Sequence, residues 1–299
     1  MSEAALRVPR TRGRLAALAR TLALLAAGYA LMVALMWWGQ EWLLFRPERL
    51  PADHRFALPS NVHETWIAVD GGRLNALHLR QPQPTGFALI LHGNGGHLGA
   101  WWFDLLPYTR AGLDVLMIDY RGYGKSPGRI TSQAQLEADV RAAWDHALAA
   151  VPGGHRVLVG RSLGAGLAAR LAAEVQPDAT LLVSPYTSVL QLAVEHHPWV
   201  PTPLMQRLLR YPLSADEVLP RIRGPVTLLH GGQDTLIPVH HARALHALAP
   251  ATRLVVVPQG GHGDLHRFAV YQDAVTQALR EVLDAGPRNT GASQNSSSK

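Results

Sequence analysis

Continuous apolar runs recur through the middle of the chain, and stretches with helical spacing and turn-rich loops separate them. Runs of this kind are typical of strands buried on both faces of a sheet. We expect strands at 87–91, 114–120, 156–160, 180–183, 226–229 and 253–257. Because strands and helices alternate, the pattern predicts right-handed crossovers and a mostly parallel central sheet with helices on both faces, an α/β fold.

Two extended runs precede these strands. His63–Val69 and Arg73–Leu79 flank Asp70-Gly71-Gly72, a turn signal that predicts an antiparallel hairpin at one edge of the sheet.

Three helices around the sheet are predicted from local signals. One starts near His97 and includes Trp101 and Trp102. A second opens at a capping box beginning with Ser132 and runs to about residue 150. The last covers residues 267–283.

The alternation breaks between residues 184 and 224. Leu and Val recur at helical spacing in Thr187–Val194 and Leu204–Leu209, within a segment rich in proline. Such an insert, leaving the carboxyl ends of strands, predicts a cap over a site, although a purely structural crossover explains the same pattern.

An uncharged apolar stretch near the amino terminus predicts one transmembrane helix. Residues 21–38 carry no charge, and at about 1.5 Å per residue they span ~27 Å, close to the ~30 Å hydrocarbon core of a bilayer. Flanking apolar residues extend the anchor to residues 21–45. A cleaved signal peptide and a buried core helix are the alternatives. The apolar run continues well past the small residues Gly28-Tyr29-Ala30, which favours an uncleaved anchor.

Charge on the two sides of this anchor predicts its orientation. Five arginines lie in the basic segment 1–20, whereas Arg46 and Arg49 after the span accompany Glu41 and Glu48. The positive-inside rule then puts the N-terminus in the cytoplasm and the catalytic domain in the periplasm or outside the cell. We assign 46–285 to that domain, and we expect the Ser/Asn/Gly-rich tail 286–299 to be disordered.

Composition narrows the function classes. The net charge of +6 comes from the two ends, so residues 21–285 are electrically balanced and offer no basic face for nucleic acid. The chain has no cysteine, which excludes disulfides, thiolate metal sites and a cysteine nucleophile.

The apolar run at 156–160 leads into Gly160-Arg161-Ser162-Leu163-Gly164, a Gly-x-Ser-x-Gly sequence between a strand and a helix. This context predicts a nucleophile elbow that exposes the Ser162 hydroxyl and aims the backbone N–H of Leu163 at a developing oxyanion. The pentapeptide alone is also compatible with a tight structural turn.

Partners for Ser162 follow in the order Ser, Asp, His. Asp234 and His262 each come directly after an apolar strand, so both are expected at the sheet edge that carries Ser162. Taken singly, the aspartate is compatible with a helix cap and the histidine with a packed or solvated side chain. The N–H of Asn94, in a glycine-flanked turn, is the second candidate oxyanion donor. A phosphate loop is disfavoured there because the Lys-Ser/Thr ending is missing.

The residues LHGNGG, IDYRGYGKSPG, GRSLGAG, SPYTS, LHGGQDTLIP and GGHGD together resemble the α/β-hydrolase superfamily, in particular its bud-emergence-protein-like branch. The resemblance covers about residues 60–284. It implies an α/β-hydrolase fold, with Ser162, Asp234 and His262 as the triad and Asn94 and Leu163 as oxyanion donors. Animal relatives in this branch include membrane-associated depalmitoylases. Asp119 and Arg121 are expected to form a charged pair that braces the loop beside the site.

Further candidates are weaker. His97, with Tyr186, His196, His197 and Trp199 in the insert, are candidate pocket residues. Histidine pairs are conspicuous, but none makes a His-Glu-x-x-His or another recognised zinc pattern, so we expect no metal and no cofactor.

The expected function is therefore a membrane-anchored serine hydrolase of the esterase, lipase or thioesterase kind. Its expected partners are a small ester or thioester, with an acyl-chain-bearing lipid as one candidate, and the membrane through the N-terminal helix. An amidase or peptidase on the same triad, and a non-catalytic membrane-tethered interaction protein, are the alternatives.

Overall fold

A computed structural model describes residues 11–286, so residues 1–10 and nearly all of the predicted disordered tail lie outside the described residues. Contacts divide the chain into two compact units, which meet in sequence between Leu43 and Leu44.

Nearly all the described residues of the first unit are helical. Helix α1 spans Thr11–Trp38, and the short α2 (Gln40–Leu44) follows it. Within α1, residues Gly13–Trp38 contain a stretch of 18 residues with a mean hydropathy of 1.8 and no buried side chains, and the helix is long and apolar enough to cross a membrane. A signal sequence fits the same description. The helix begins ten residues before the predicted anchor because the arginine- and alanine-rich stretch ahead of it also favours helix.

The second unit contains one eight-stranded sheet. The strands are β1 (Val62–Val69), β2 (Gly72–Leu79), β3 (Gly86–Leu91), β4 (Leu113–Ile118), β5 (His155–Arg161), β6 (Ala179–Val183), β7 (Val226–Gly231) and β8 (Arg253–Val257). Their order is β1-β2-β4-β3-β5-β6-β7-β8, and β3 to β8 are all parallel. The hairpin β1–β2 is antiparallel and forms one edge, as predicted.

Helices cover both faces of this sheet. One apolar core contains residues of α5 (Gln133–Ala150), α6 (Leu163–Val175) and α9 (His240–Leu248). The other contains residues of α3 (Leu98–Trp101), α4 (Leu106–Arg110) and α10 (Ala269–Ala285). Alternate residues of β3 point to opposite faces of the sheet. Leu89 and Leu91 pack in the first core, and Ala88 and Ile90 pack in the second. The predicted α/β architecture is confirmed.

The capping box of α5 is present in a shifted form. Ser132 Oγ accepts a hydrogen bond from Gln135 N at 3.1 Å, while Gln135 Oε1 accepts one from Thr131 N at 2.9 Å. These two side chains thereby supply acceptors to the N–H groups of Gln135 and Thr131 at the start of the helix.

The helix predicted after β3 is wrong in extent. Only Leu98–Trp101 is helical there, and Trp102 lies beyond its end. Asp104 then adopts a left-handed backbone conformation with φ = 60°, which breaks the helix before α4 begins.

The insert between β6 and β7 contains α7 (Val189–His196) and α8 (Thr202–Leu208), followed by a 3₁₀ turn at Leu219–Arg221. Tyr186, Tyr211 and Leu213 of this segment are buried in the first core, so the insert is firmly seated at its two ends.

Candidate active site

Ser162 occupies a strained turn between β5 and α6. Its backbone has φ = 53° and ψ = −119°, a region that residues other than glycine rarely adopt. The Ser162 N–H donates to Val183 O at 2.8 Å, which ties the turn to the end of the neighbouring strand β6. The strain therefore persists because the surrounding sheet fixes the backbone on both sides.

Two flanking glycines allow this turn. A Cβ at Gly160 would lie 2.5 Å from Ala168 Cβ, and one at Gly164 would lie 2.6 Å from His92 O. Both distances are below any normal contact, so the strand, the helix and the loop after β3 meet only because these positions lack side chains.

The side chains of Ser162, His262 and Asp234 form one hydrogen-bonded chain. His262 Nε2 lies 3.0 Å from Ser162 Oγ, and His262 Nδ1 lies 2.8 Å from Asp234 Oδ2. The serine and aspartate are buried, while the histidine is partly exposed. A carboxylate on Nδ1 leaves Nε2 free to accept the serine proton.

Asp234 is held by the loop that follows β7. Its Oδ1 accepts hydrogen bonds from the N–H groups of Leu236 (3.0 Å) and Ile237 (2.8 Å). Burial by itself raises the pKa of Asp234, but the hydrogen bonds from His262 and Ile237 outweigh it, and the net pKa is below the ordinary value. The carboxylate is therefore ionised at neutral pH.

The glycine-rich loop after β3 runs directly past Ser162. A Cβ at Gly93 would lie 3.3 Å from Ser162 Cβ. The loop is fixed by Asn94 Oδ1, which accepts from Arg46 N at 2.8 Å, and by Trp101 Nε1, which donates to Gly95 O at 2.8 Å. Leu163 is the first residue of α6, where backbone N–H groups have no partner within the helix.

A buried histidine behind this loop was not among the predicted site residues. His92 Nδ1 lies 2.8 Å from Gly93 O, and Tyr120 Oη donates to His92 O at 2.9 Å. The His92 ring stacks on Trp101 with an interplanar angle of 18°. These contacts fix the strand end from which the loop leaves; the only sequence signal was the position of His92 directly after an apolar strand.

Arg161, the residue before Ser162, was also missed. Its Nη2 donates to Gly263 O at 3.1 Å, the carbonyl directly after His262. The guanidinium lies over the rings of Phe103 (5.2 Å) and Trp101 (5.8 Å). Arg161 therefore links the elbow strand, the histidine loop and the helix that supports the glycine-rich loop.

Comparison with known proteins identifies the family. A family model of the alpha/beta hydrolase fold matches residues 89–210. An uncharacterized protein of Mycobacterium tuberculosis (strain ATCC 25618 / H37Rv) is 33% identical over 275 residues, which cover 89% of this chain and 95% of the relative. The alpha/beta hydrolase domain-containing protein 17C of Xenopus laevis is 30% identical over 224 residues, 73% of this chain and 69% of the relative. The chain belongs to the α/β-hydrolase superfamily.

Solved structures agree with this α/β-hydrolase fold. The Pyrococcus furiosus esterase Pf2001 aligns with a TM-score of 0.61 and 19% identity, covering 82% of this chain and 99% of that one. Est1E from Butyrivibrio proteoclasticus aligns with a TM-score of 0.60 and 18% identity, covering 74% and 99%. At these identities the likeness shows the α/β-hydrolase fold alone.

The predicted pocket residues of this α/β-hydrolase do not form one group. Tyr186 is buried in the core, where its hydroxyl donates to Leu163 O at 3.3 Å, so it supports the elbow helix from below. His97 caps α3: its Nδ1 accepts from Gly99 N at 3.1 Å.

The other three candidates lie at the end of α7. His196 is exposed, and His197 contacts the half-exposed Trp199 edge to face at a ring distance of 5.8 Å. These residues lie on the outside of the insert, where they contribute an exposed aromatic surface.

The expected pairing of Asp119 with Arg121 is wrong. Arg121 forms a buried bidentate pair with Asp139 of α5, at 2.6 and 2.8 Å. Asp119 instead accepts from Leu98 N at 3.0 Å, and its carboxylate lies 3.6 Å from His92 Nε2. Arg121 therefore anchors α5, whereas Asp119 anchors the start of α3.

Proposed function

We propose that this α/β-hydrolase is a serine hydrolase that cleaves carboxylic ester or thioester bonds by acyl transfer. The observation that carries the proposal is the hydrogen-bonded chain from Ser162 through His262 to Asp234. Three side chains from separate loops, in the order and geometry that general-base activation of a serine requires, are a specific arrangement.

The reaction proceeds in two acyl-transfer steps. His262 Nε2 takes the proton of Ser162 as Oγ attacks the substrate carbonyl carbon, and the N–H groups of Leu163 and Asn94 stabilise the resulting oxyanion. The imidazolium then gives its proton to the leaving alcohol or thiol, which leaves the acyl group on Ser162. Water deprotonated by His262 attacks this acyl-enzyme, releases the carboxylic acid and restores the serine.

An exposed apolar residue beside the triad supports an acyl-chain-bearing substrate. Leu236 lies two residues from Asp234 and is 56% exposed. Large apolar side chains left in solvent near a site are typical of surfaces that bind apolar ligands.

The proposal includes membrane anchoring by α1. In this arrangement residues 1–20 are cytoplasmic, 21–45 cross the bilayer, and the catalytic domain 46–285, with its insert 184–224, faces the periplasm or the exterior. Reporter fusions to the C-terminus, one active only in the cytoplasm and one only outside it, test this topology. Activity of the cytoplasmic reporter would contradict it.

A matched substrate panel tests the chemistry. The full chain, purified in detergent, is assayed on acyl esters of increasing chain length and on thioesters and anilides with the same acyl groups. We expect turnover of esters or thioesters by wild type and none by Ser162→Ala. Preferential cleavage of anilides would instead favour an amidase, and a folded wild type inert towards every substrate would favour an interaction protein.

A further inference from the structure

A cluster of metal-binding side chains joins the insert to the body of the domain. Glu195 lies near the end of α7, and His240 and His241 are the first two residues of α9. Their ligand atoms all lie within 4.8 Å of one another. Among the side chains that the structure describes, this is the group of histidine and carboxylate residues that meets the spacing required of a metal site.

The distances within the cluster match those between ligands of one ion. Glu195 Oε1 lies 3.1 Å from His240 Nε2, and Glu195 Oε2 lies 3.2 Å from His241 Nε2. In a tetrahedral zinc site with bonds of about 2.0–2.1 Å, neighbouring ligand atoms are ~3.3 Å apart. The two imidazole rings stack at a centroid distance of 4.5 Å, which aims both Nε2 atoms at the same carboxylate.

Thr187 supplies the outer partner that a ligating histidine requires. Its Oγ1 lies 3.0 Å from His241 Nδ1. The Thr187 N–H also approaches Nδ1, at 3.4 Å, and suits the metal-free tautomer in which Nε2 carries the proton. When Nε2 binds the ion, that proton lies on Nδ1, and Nδ1–H donates a hydrogen bond to Thr187 Oγ1. Such a partner orients the imidazole towards the ion.

One side of the cluster is open to solvent. His241 is fully buried, whereas the side chains of His240 and Glu195 are 58% and 27% exposed. An ion entering from this side would take three protein ligands and keep a water in its fourth position.

We infer that Glu195, His240 and His241 form a site for a divalent transition metal ion, with Zn²⁺ as the fitting ion. Two imidazoles and one carboxylate are borderline ligands that suit Zn²⁺. The bound ion links the insert helix α7 to α9, whose first residue comes six positions after Asp234. Sequence spacing missed the site because its ligands are two adjacent histidines and a glutamate 45 residues away.

The competing explanation is a metal-free bridge, in which each Nε2–H donates to the Glu195 carboxylate. Both explanations account for the contacts, so the test measures metal binding directly. Full-length protein in detergent is stripped with a chelator and titrated with Zn²⁺ by equilibrium dialysis. We expect one high-affinity Zn²⁺ per chain and a rise in Tm when it binds.

Three variants report on the ligands. Glu195→Gln keeps an oxygen for hydrogen bonds from the histidines but loses the charge, and His240→Gln changes a largely exposed side chain. We expect each to lower Zn²⁺ affinity by more than about tenfold. Thr187→Val removes only the outer hydroxyl, and we expect a loss of ~10–100-fold, as for other outer partners of zinc ligands. The exposed His63 serves as control: His63→Gln should bind Zn²⁺ as wild type does.

Co²⁺ gives an independent readout, because the intensity of its visible absorption distinguishes four-coordinate binding from six-coordinate solvation. At saturating Co²⁺ we expect the four-coordinate spectrum in wild type, His63→Gln and Thr187→Val, and its loss in Glu195→Gln and His240→Gln. Absence of a high-affinity equivalent in wild type would overturn the proposal, and so would equal Zn²⁺ affinity in wild type, Glu195→Gln and His240→Gln. The Tm of each variant in chelator verifies folding, and none of these measurements depends on hydrolase activity.

Discussion

Nε2 of His262 lies 3.0 Å from Oγ of Ser162, although the two residues are 100 positions apart in the chain. The parallel sheet accounts for this proximity. Ser162 follows β5 and His262 follows β8, and the carboxyl ends of parallel strands open onto one edge. The geometry is useful for proton transfer only if His262 keeps its Nε2 lone pair free, and that depends on Asp234.

We expect Asp234→Asn to abolish most activity while keeping the fold. The asparagine oxygen can still accept from Leu236 N and Ile237 N, which leaves its NH₂ facing His262 Nδ1. The histidine would then carry its proton on Nε2 and could not accept one from Ser162. The expected loss of kcat/KM is ~10³–10⁴-fold, the scale known for this change in serine proteases. A loss below tenfold in a variant with wild-type Tm would contradict the assigned role of Asp234.

Gly164→Ala should disrupt the elbow. The added methyl would collide with the carbonyl of His92, so either α6 or the glycine-rich loop must move. We expect a lower Tm and a loss of at least ~10²-fold in kcat/KM, because displacing an oxyanion donor has effects of that size.

Gly263→Ala is the matched control for Gly164→Ala. It lies beside His262, but an added Cβ meets no atom within 4 Å. Its Tm and kcat/KM should stay close to wild type. If the two variants lost similar activity, glycine removal near the triad, rather than the collision with His92, would be the cause.

Arg161 is expected to position His262 rather than to react. Arg161→Gln loses the bond to Gly263 O and the contact with Phe103, which frees the histidine loop. We expect kcat to fall ~10–100-fold with little change in KM, since small displacements of a catalytic group have large effects on rate. Arg161→Lys keeps a donor and should recover part of this loss. If both variants lowered Tm equally and left kcat unchanged, Arg161 would have a structural role only.

His230 should make the protein less stable in mild acid. It is fully buried and lies 2.8 Å from Ile237 O through Nε2. Burial lowers its pKa below the ordinary 6.5, and the hydrogen bond to Ile237 O and the nearby Asp234 only partly oppose this effect. Between that folded pKa and 6.5 the unfolded chain holds a proton that the folded chain does not, so stability decreases as pH falls below about 6.5.

The measurement is the Tm of wild type and His230→Gln between pH 7.5 and 5.5. One proton corresponds to about 1.4 kcal/mol of unfolding free energy per pH unit. Whatever its Tm at pH 7.5, the variant should show a shallower decline, because the other buried histidines titrate equally in both proteins. If Tm declined equally in the two proteins, His230 would not be the cause of this pH dependence.

The features that could be predicted from the sequence are those whose place is set by the order of the strands. Ser162, Asp234 and His262 could be predicted because each follows an apolar run, and the carboxyl ends of parallel strands lie at one edge of the sheet. The hairpin and the insert could also be predicted, because a turn signal and a break in the alternation of strands and helices are local features of the sequence.

The parts that sequence missed depend on side-chain direction and on contacts between distant segments. Tyr186 was expected in a pocket but turns into the core, and Arg121 pairs with Asp139 rather than with Asp119. The break after Trp101 comes from a left-handed residue, Asp104, which no propensity predicts. No spacing rule brings Glu195 to His240, because tertiary packing alone joins α7 to α9.

The most direct test of the central claim is labelling of the full-length protein with a fluorophosphonate, which reacts with activated serines. Mass spectrometry then locates the label, and Ser60→Ala, at an exposed turn, serves as control. We predict a label on Ser162 in wild type and Ser60→Ala, none in Ser162→Ala, and strongly reduced labelling in His262→Ala. Folded wild-type protein that stays unlabelled, or undiminished labelling of Ser162→Ala, would contradict the assignment of Ser162 as the nucleophile.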